Sequence, residues 1–73
     1  MTMDDAIADL RVRITEVSPS ARIEVERTAD DSATIRVHAP AEDEDRIKAV
    51  TTELTVALLT ADGLDVQVLV YDG

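Results

Sequence analysis

The chain of 73 residues has no cysteine, no phenylalanine and no tryptophan, and it holds one tyrosine, one histidine, two glycines and two prolines. Without cysteine there is no disulfide framework, no thiolate zinc site, no cysteine nucleophile and no thiol redox chemistry. With Tyr71 as the sole aromatic, the core is aliphatic and thin, because each buried aromatic contributes about 150–250 Å² of buried surface. No apolar run approaches the roughly 18 residues a membrane span needs, and Met1 to Asp5 has neither the basic nor the apolar segment of a secretory signal. These features lead to the expectation of a single cytoplasmic domain over residues 1–73. A chain of this size lies near the lower limit for folding without disulfides, metal or oligomerisation.

Positive charge is also scarce. Sixteen Asp and Glu stand against seven Lys and Arg, a formal net charge of −9, and Lys48 is the only lysine. Such self-repulsion costs stability in dilute buffer and is screened in molar salt, where the Debye length falls to about 3 Å. The acidic, lysine-poor composition, rich in Asp, Ala, Val and Thr, resembles that of proteins from extreme halophiles, which stay soluble in concentrated salt.

Met3, Ile7, Leu10, Ile14 and Val17 recur at steps of four and three, which predicts a helix over 3–17. Asp4 and Asp5 suit its positive end, Asp9 and Arg13 form an i,i+4 pair, and Ser18-Pro19-Ser20 ends it. Residues 21–28 alternate, with Ala21, Ile23 and Val25 opposite Arg22, Glu24 and Glu26. Ala29-Asp30-Asp31-Ser32 is turn chemistry, and Ala33, Ile35 and Val37 then alternate with Thr34, Arg36 and His38, so the two segments form a β-hairpin. Ala39-Pro40 stops the second strand and opens a helix to about Ala61, with a core stripe of Ile47, Val50, Leu54, Ala57, Leu58 and Ala61. Asp62-Gly63 closes that helix, and 64–71 alternates again as a last strand.

The order is α-β-β-α-β. Two amphipathic helices and three one-sided strands bury their apolar faces most simply as a two-layer α+β sandwich, with both helices on one face of a three-stranded sheet. A right-handed crossover through the long helix makes the last strand parallel to the second. Whether it lies beside the first strand or the second stays open. No helix is left for the reverse face, where Arg22, Glu24, Glu26, Thr34, Arg36, His38, Gln67, Leu69 and Tyr71 are expected. Leu69 and Tyr71 are the apolar exceptions there, and a homodimer through this face or an edge strand would supply the burial that the thin core lacks.

The element order, carried by 21-ARIEVER-27, 34-TIRVHAP-40 and 64-LDVQVLVYD-72 around the two helices, resembles the KH-like group of folds. That group includes type II KH domains, a ribosome-maturation factor, the BolA proteins and cysteine-bearing iron-sulfur scaffolds. The resemblance is topological. An RNA-gripping KH domain carries a Gly-x-x-Gly loop, whereas the glycines here are Gly63 and Gly73; the scaffolds need Cys-x-x-Cys; and the BolA histidine lies near the last strand, whereas His38 is on the second.

The four consecutive carboxylates Glu42 to Asp45 are expected to be a helix start, since unpaired N–H groups and the dipole favour negative charge there and neighbouring helical side chains diverge by roughly 100°. Glu42 with Arg46 and Glu44 with Lys48 are spaced as helical ion pairs. Asp30-Asp31-Ser32 lacks the alternating ligands, glycine and closing glutamate of an EF-hand loop. His38 has no nucleophile partner, the serines Ser18, Ser20 and Ser32 lying in loops, and Arg22 and Arg36 are placed to pair with Glu24 and Glu26 across strands. No metal site, cofactor site or catalytic constellation is expected. The expectation is a non-catalytic protein-interaction or self-assembly module with Arg36, His38, Leu69 and Tyr71 as its interface. The alternative is a KH-like nucleic-acid-associated protein without the glycine loop, disfavoured because an acidic surface gains nothing from counterion release and only Tyr71 could stack on a base.

Overall fold

The chain builds two helices against a three-stranded mixed sheet, in a computed structural model that describes residues 1–72. Helix α1 runs Met3–Val17 and opens on Thr2, whose hydroxyl oxygen accepts from the Asp5 amide at 3.1 Å. That bond occupies one of the helix's orphan donors. Met3, Ala6, Leu10 and Ile14 are buried along one stripe, with Ile7 and Val17 at its margins.

Strands β1 (Arg22–Ala29) and β2 (Ser32–Ala39) pair antiparallel, from Arg22 opposite His38 to Ala29 opposite Ser32, with an irregularity between Arg27 and Ala29. Strand β3 (Asp65–Asp72) lies beside β2 and parallel to it, from Ser32 opposite Asp65 to Ala39 opposite Asp72. The strand order is therefore β1-β2-β3, the mixed alternative of the two that the sequence leaves open. It places in the middle the strand with the most complete apolar side. Ala33, Ile35, Val37 and Ala39 are buried, whereas the inward residues of β1, Ile23 and Val25, are only half-buried, as an edge position allows.

The segment after β2 departs from one continuous helix. Pro40 precedes a 3₁₀ turn over Ala41–Asp43, α2 proper runs Glu44–Ala57, and a π turn covers Leu58–Asp62. Gly63 ends it in the left-handed conformation (φ 66°, ψ 22°), and the Leu64 amide donates back to the Leu58 carbonyl at 3.0 Å. Only glycine takes that backbone without a Cβ penalty. The core stripe shifts too. Ile47 and Leu58 are buried and Val50 and Leu54 half-buried, but Ala57 and Ala61 are exposed and Thr51 takes a core position. Thr51 is tolerated because its hydroxyl donates to the Ile47 carbonyl at 2.8 Å; Thr52 and Thr60 likewise return theirs to the preceding turn.

The carboxylates at the start of this segment have separate partners. Asp43 accepts from the hydroxyl of the buried Ser18 at 2.8 Å, tying the end of α1 to the start of α2, and lies 3.4 Å from Arg46. The expected Glu42–Arg46 pair is replaced, because Glu42 belongs to the 3₁₀ turn, where i,i+4 side chains do not align. Glu44 pairs with Lys48 at 2.6 Å as spaced, and this hydrogen bond, with the carboxylate's charge, raises the lysine pKa. That contribution is present below the ordinary value of 10.5 and is lost only as the pH rises through the higher folded value, so it is constant around neutrality. Asp9 and Arg13 pair at 2.9 Å, and Arg13 also donates to the Val50 carbonyl across the helix interface.

The tie between Ser18 and Asp43 gives the first prediction. Asp43→Ala leaves a buried hydroxyl unpaired and lowers unfolding free energy by about 1–3 kcal/mol, whereas Ser18→Ala, which removes that group, costs about half as much. Urea titrations of both variants check the order; equal or reversed losses would contradict it.

Candidate functional site

The reverse face of the sheet carries the side chains that alternation assigned to it, and the parallel pairing of β3 with β2 decides how they group. Arg36 lies opposite Leu69 and His38 opposite Tyr71, so the four residues singled out from the sequence form one contiguous block on two neighbouring strands. Had β3 joined β1 instead, Leu69 and Tyr71 would have stood beside Arg22, Glu24 and Glu26.

Within the block, His38 and Tyr71 stack, with ring centroids 5.3 Å apart and planes 22° from parallel. The stack leaves Tyr71 41% and Leu69 38% exposed. Charges close the side toward β1. Arg36 meets Glu26 diagonally across the strands at 3.3 Å, and Glu24 lies 3.6 Å from the His38 ring and 3.8 Å from Arg22 on its own strand. The cross-strand pairing expected of Arg36 is present, while Arg22 pairs along its strand. The carboxylate charge of Glu26, then its hydrogen bond, raises the Arg36 pKa further, with a smaller contribution from the Tyr71 hydroxyl. Arg36 is thus a permanent cation already committed to a neighbour, which leaves it poorly placed to capture a phosphate.

A shallow depression lined by Ser20, Arg22, His38, Ala39 and Pro40 adjoins the block. Among the described residues no hydrogen bond joins Ser20 to His38, and the carboxylate nearest the His38 ring is that of Glu24 at 3.6 Å, beyond hydrogen-bond distance. Among the described residues no three His, Asp or Glu groups converge as metal ligands, and no helix is long and apolar enough to cross a membrane. What the arrangement offers is a stacked ring pair and an aliphatic side chain at the rim of an otherwise charged surface.

Leu59 escaped the sequence reading. It lies in the π turn that follows α2 and is 55% exposed. A large aliphatic residue on the polar side of a predicted helix was the available signal.

Comparison of the chain with protein-family models, curated proteins and solved structures finds no match.

The stack makes Tyr71, the only tyrosine and therefore the sole source of intrinsic emission, a reporter on His38. At a fixed neutral pH, His38→Ala should change tyrosine emission and raise its quenching by acrylamide as the ring loses its cover; unchanged emission and quenching would show that the rings are apart in solution.

Proposed function

We propose that this chain is a non-catalytic interaction module that binds protein through the β2–β3 half of its open sheet face. The observation that carries the reading is the block of His38, Leu69 and Tyr71, an exposed apolar and aromatic patch rimmed by paired charges. Exposed aromatic anchors inside a polar rim are a common composition of protein interfaces. A second copy is one candidate occupant, since a chain with so thin a core gains burial by association. A stable interface removes about 800 Å² from each partner, a substantial share of the 4320 Å² this chain exposes.

A KH-like role on nucleic acid, which the element order resembles, has less support. The net charge of −9 repels phosphate, and Tyr71 already stacks on His38. The acidic composition is read as an adaptation to concentrated salt. Repulsion among sixteen carboxylates and only seven cations opposes both the compact state and association until it is screened.

Two measurements test this. In light scattering across protein concentration at low and molar KCl, self-association through the face appears as a dimer favoured by salt and by concentration, and Tyr71→Lys or Leu69→Lys removes it. A monomer under every condition eliminates the second copy as occupant. In urea titrations the midpoint should rise from dilute buffer to molar KCl; a flat or falling midpoint would refute the salt-adapted reading.

A further inference from the structure

The free edge of β3 is the part of this surface that the fold leaves most open. The Asp65 amide donates to the Asp31 carbonyl at 2.8 Å, so Asp65 and every second residue after it, Gln67, Leu69 and Tyr71, turn their backbone groups toward β2. Val66, Val68 and Val70 therefore turn their N–H and C=O groups outward, where no hydrogen bond among the described residues meets them. An edge of this kind is a template for another strand. The other edge, β1, is guarded by the charges of Arg22, Glu24, Glu26 and Arg27 and by a register irregularity. In β3 the pairing register is unbroken over eight residues, no proline interrupts it, and its only charges are Asp65 and Asp72 at the two ends.

Apolar side chains flank this edge above and below. On the reverse face stand Leu69 and Tyr71. On the helix face α1 lies toward β1, with Asp4 2.7 Å from Arg27 and Val12 and Thr15 beside Ile23, while α2 packs on β3. On that same helix face Val68 and Val70, side chains of the edge strand itself, are only half-buried.

Charge decides what can bind. Two copies, each of net charge −9, repel one another in dilute salt, whereas an extended segment with cations at its ends is drawn to Asp65 and Asp72.

We propose, resting on the interaction reading above, that β3 binds an extended peptide segment of a partner by strand addition. The segment is apolar in its middle, where Val68, Leu69 and Val70 meet it, and cationic at its ends, where Asp65 and Asp72 stand in a chain of net charge −9. Backbone hydrogen bonds to Val66, Val68 and Val70 give register, and the flanking side chains select for apolar content.

The probe is the peptide acetyl-Lys-Val-Thr-Val-Thr-Val-Lys-amide, added to the ¹⁵N-labelled chain at the lowest KCl that keeps it folded. Amide exchange at Val66, Val68 and Val70 should slow by about tenfold or more at saturation, with Gln67, Leu69 and Tyr71, already in the ladder, little changed. The effect should be lost with glutamate in place of the probe's lysines, and in the doubly substituted surface variant Leu69→Lys, Tyr71→Lys. Val68→Pro should also abolish it while preserving the fold, since that amide points away from β2. Protection appearing instead at Ile23 and Val25, or equally with the glutamate probe, overturns the proposal. If the probe perturbs the Leu69 and Tyr71 side chains but leaves the valine amides unprotected, the edge assignment fails and the face reading stands. No response at either place overturns strand addition and leaves the face to the light-scattering measurement.

Discussion

The structure depends on enclosing one strand. Ile35 and Val37 of β2 are wholly inaccessible, flanked by β1 and β3 and clustered with Leu10 and Ile14 of α1, Ile47 of α2 and Leu58 of the π turn. None of these is aromatic, so close packing has to come from branched aliphatic side chains, and deleting any one of them leaves a void that the others cannot easily fill. Everything at the periphery is arranged around that strand. The helices need its apolar side as a floor, and the outer strands need its backbone as a ladder.

From this enclosure follows the division of the surface. Two helices suffice to cover one face of three strands, and the described residues hold no further element for the other. The reverse face must therefore be stable in water. It manages this by pairing charges, Arg36 with Glu26 and Glu24 beside His38, over most of its area. Exposed pairs of this kind add little stability and less in salt, so their effect is to keep the β1 half of the face wet. The β3 half is treated differently, with Leu69 and Tyr71 where alternation would equally have admitted polar residues. That asymmetry between two halves of one face is what the proposed interaction reading rests on.

The elements and their order were legible because α1, the hairpin and β3 each carry an unambiguous period, four-three or two. The face assignment of Arg36, His38, Leu69 and Tyr71 was legible for the same reason, since strand alternation fixes sides. Their adjacency was not, because periodicity says nothing about which strand is whose neighbour; only the pairing of β3 with β2 brings Tyr71 onto His38. The long helix was misread in detail where threonine intervened. A hydroxyl at Thr51 looks polar in sequence, yet it satisfies itself on the Ile47 carbonyl and behaves as a core residue, shifting the stripe away from Ala57 and Ala61. The π turn at Leu58–Asp62 has no sequence signature beyond the glycine that ends it. Asp43 was read as helix-start charge, and its bond to Ser18, 25 positions away in sequence, is a long-range contact that local spacing does not reveal.

The two edges of the sheet differ in what they would admit. The charges and broken register of β1 discourage pairing on that side, whereas β3 is unbroken in register and uncharged between Asp65 and Asp72. Selectivity in the proposed strand addition comes from exclusion at one edge as much as attraction at the other. Acidity acts in the same direction. Like-charged copies repel one another at low salt, while a cationic segment is drawn in. In the proposed strand addition, the choice of partner is thus narrowed by a single open ladder, with aliphatic groups on both sides and carboxylates at its ends.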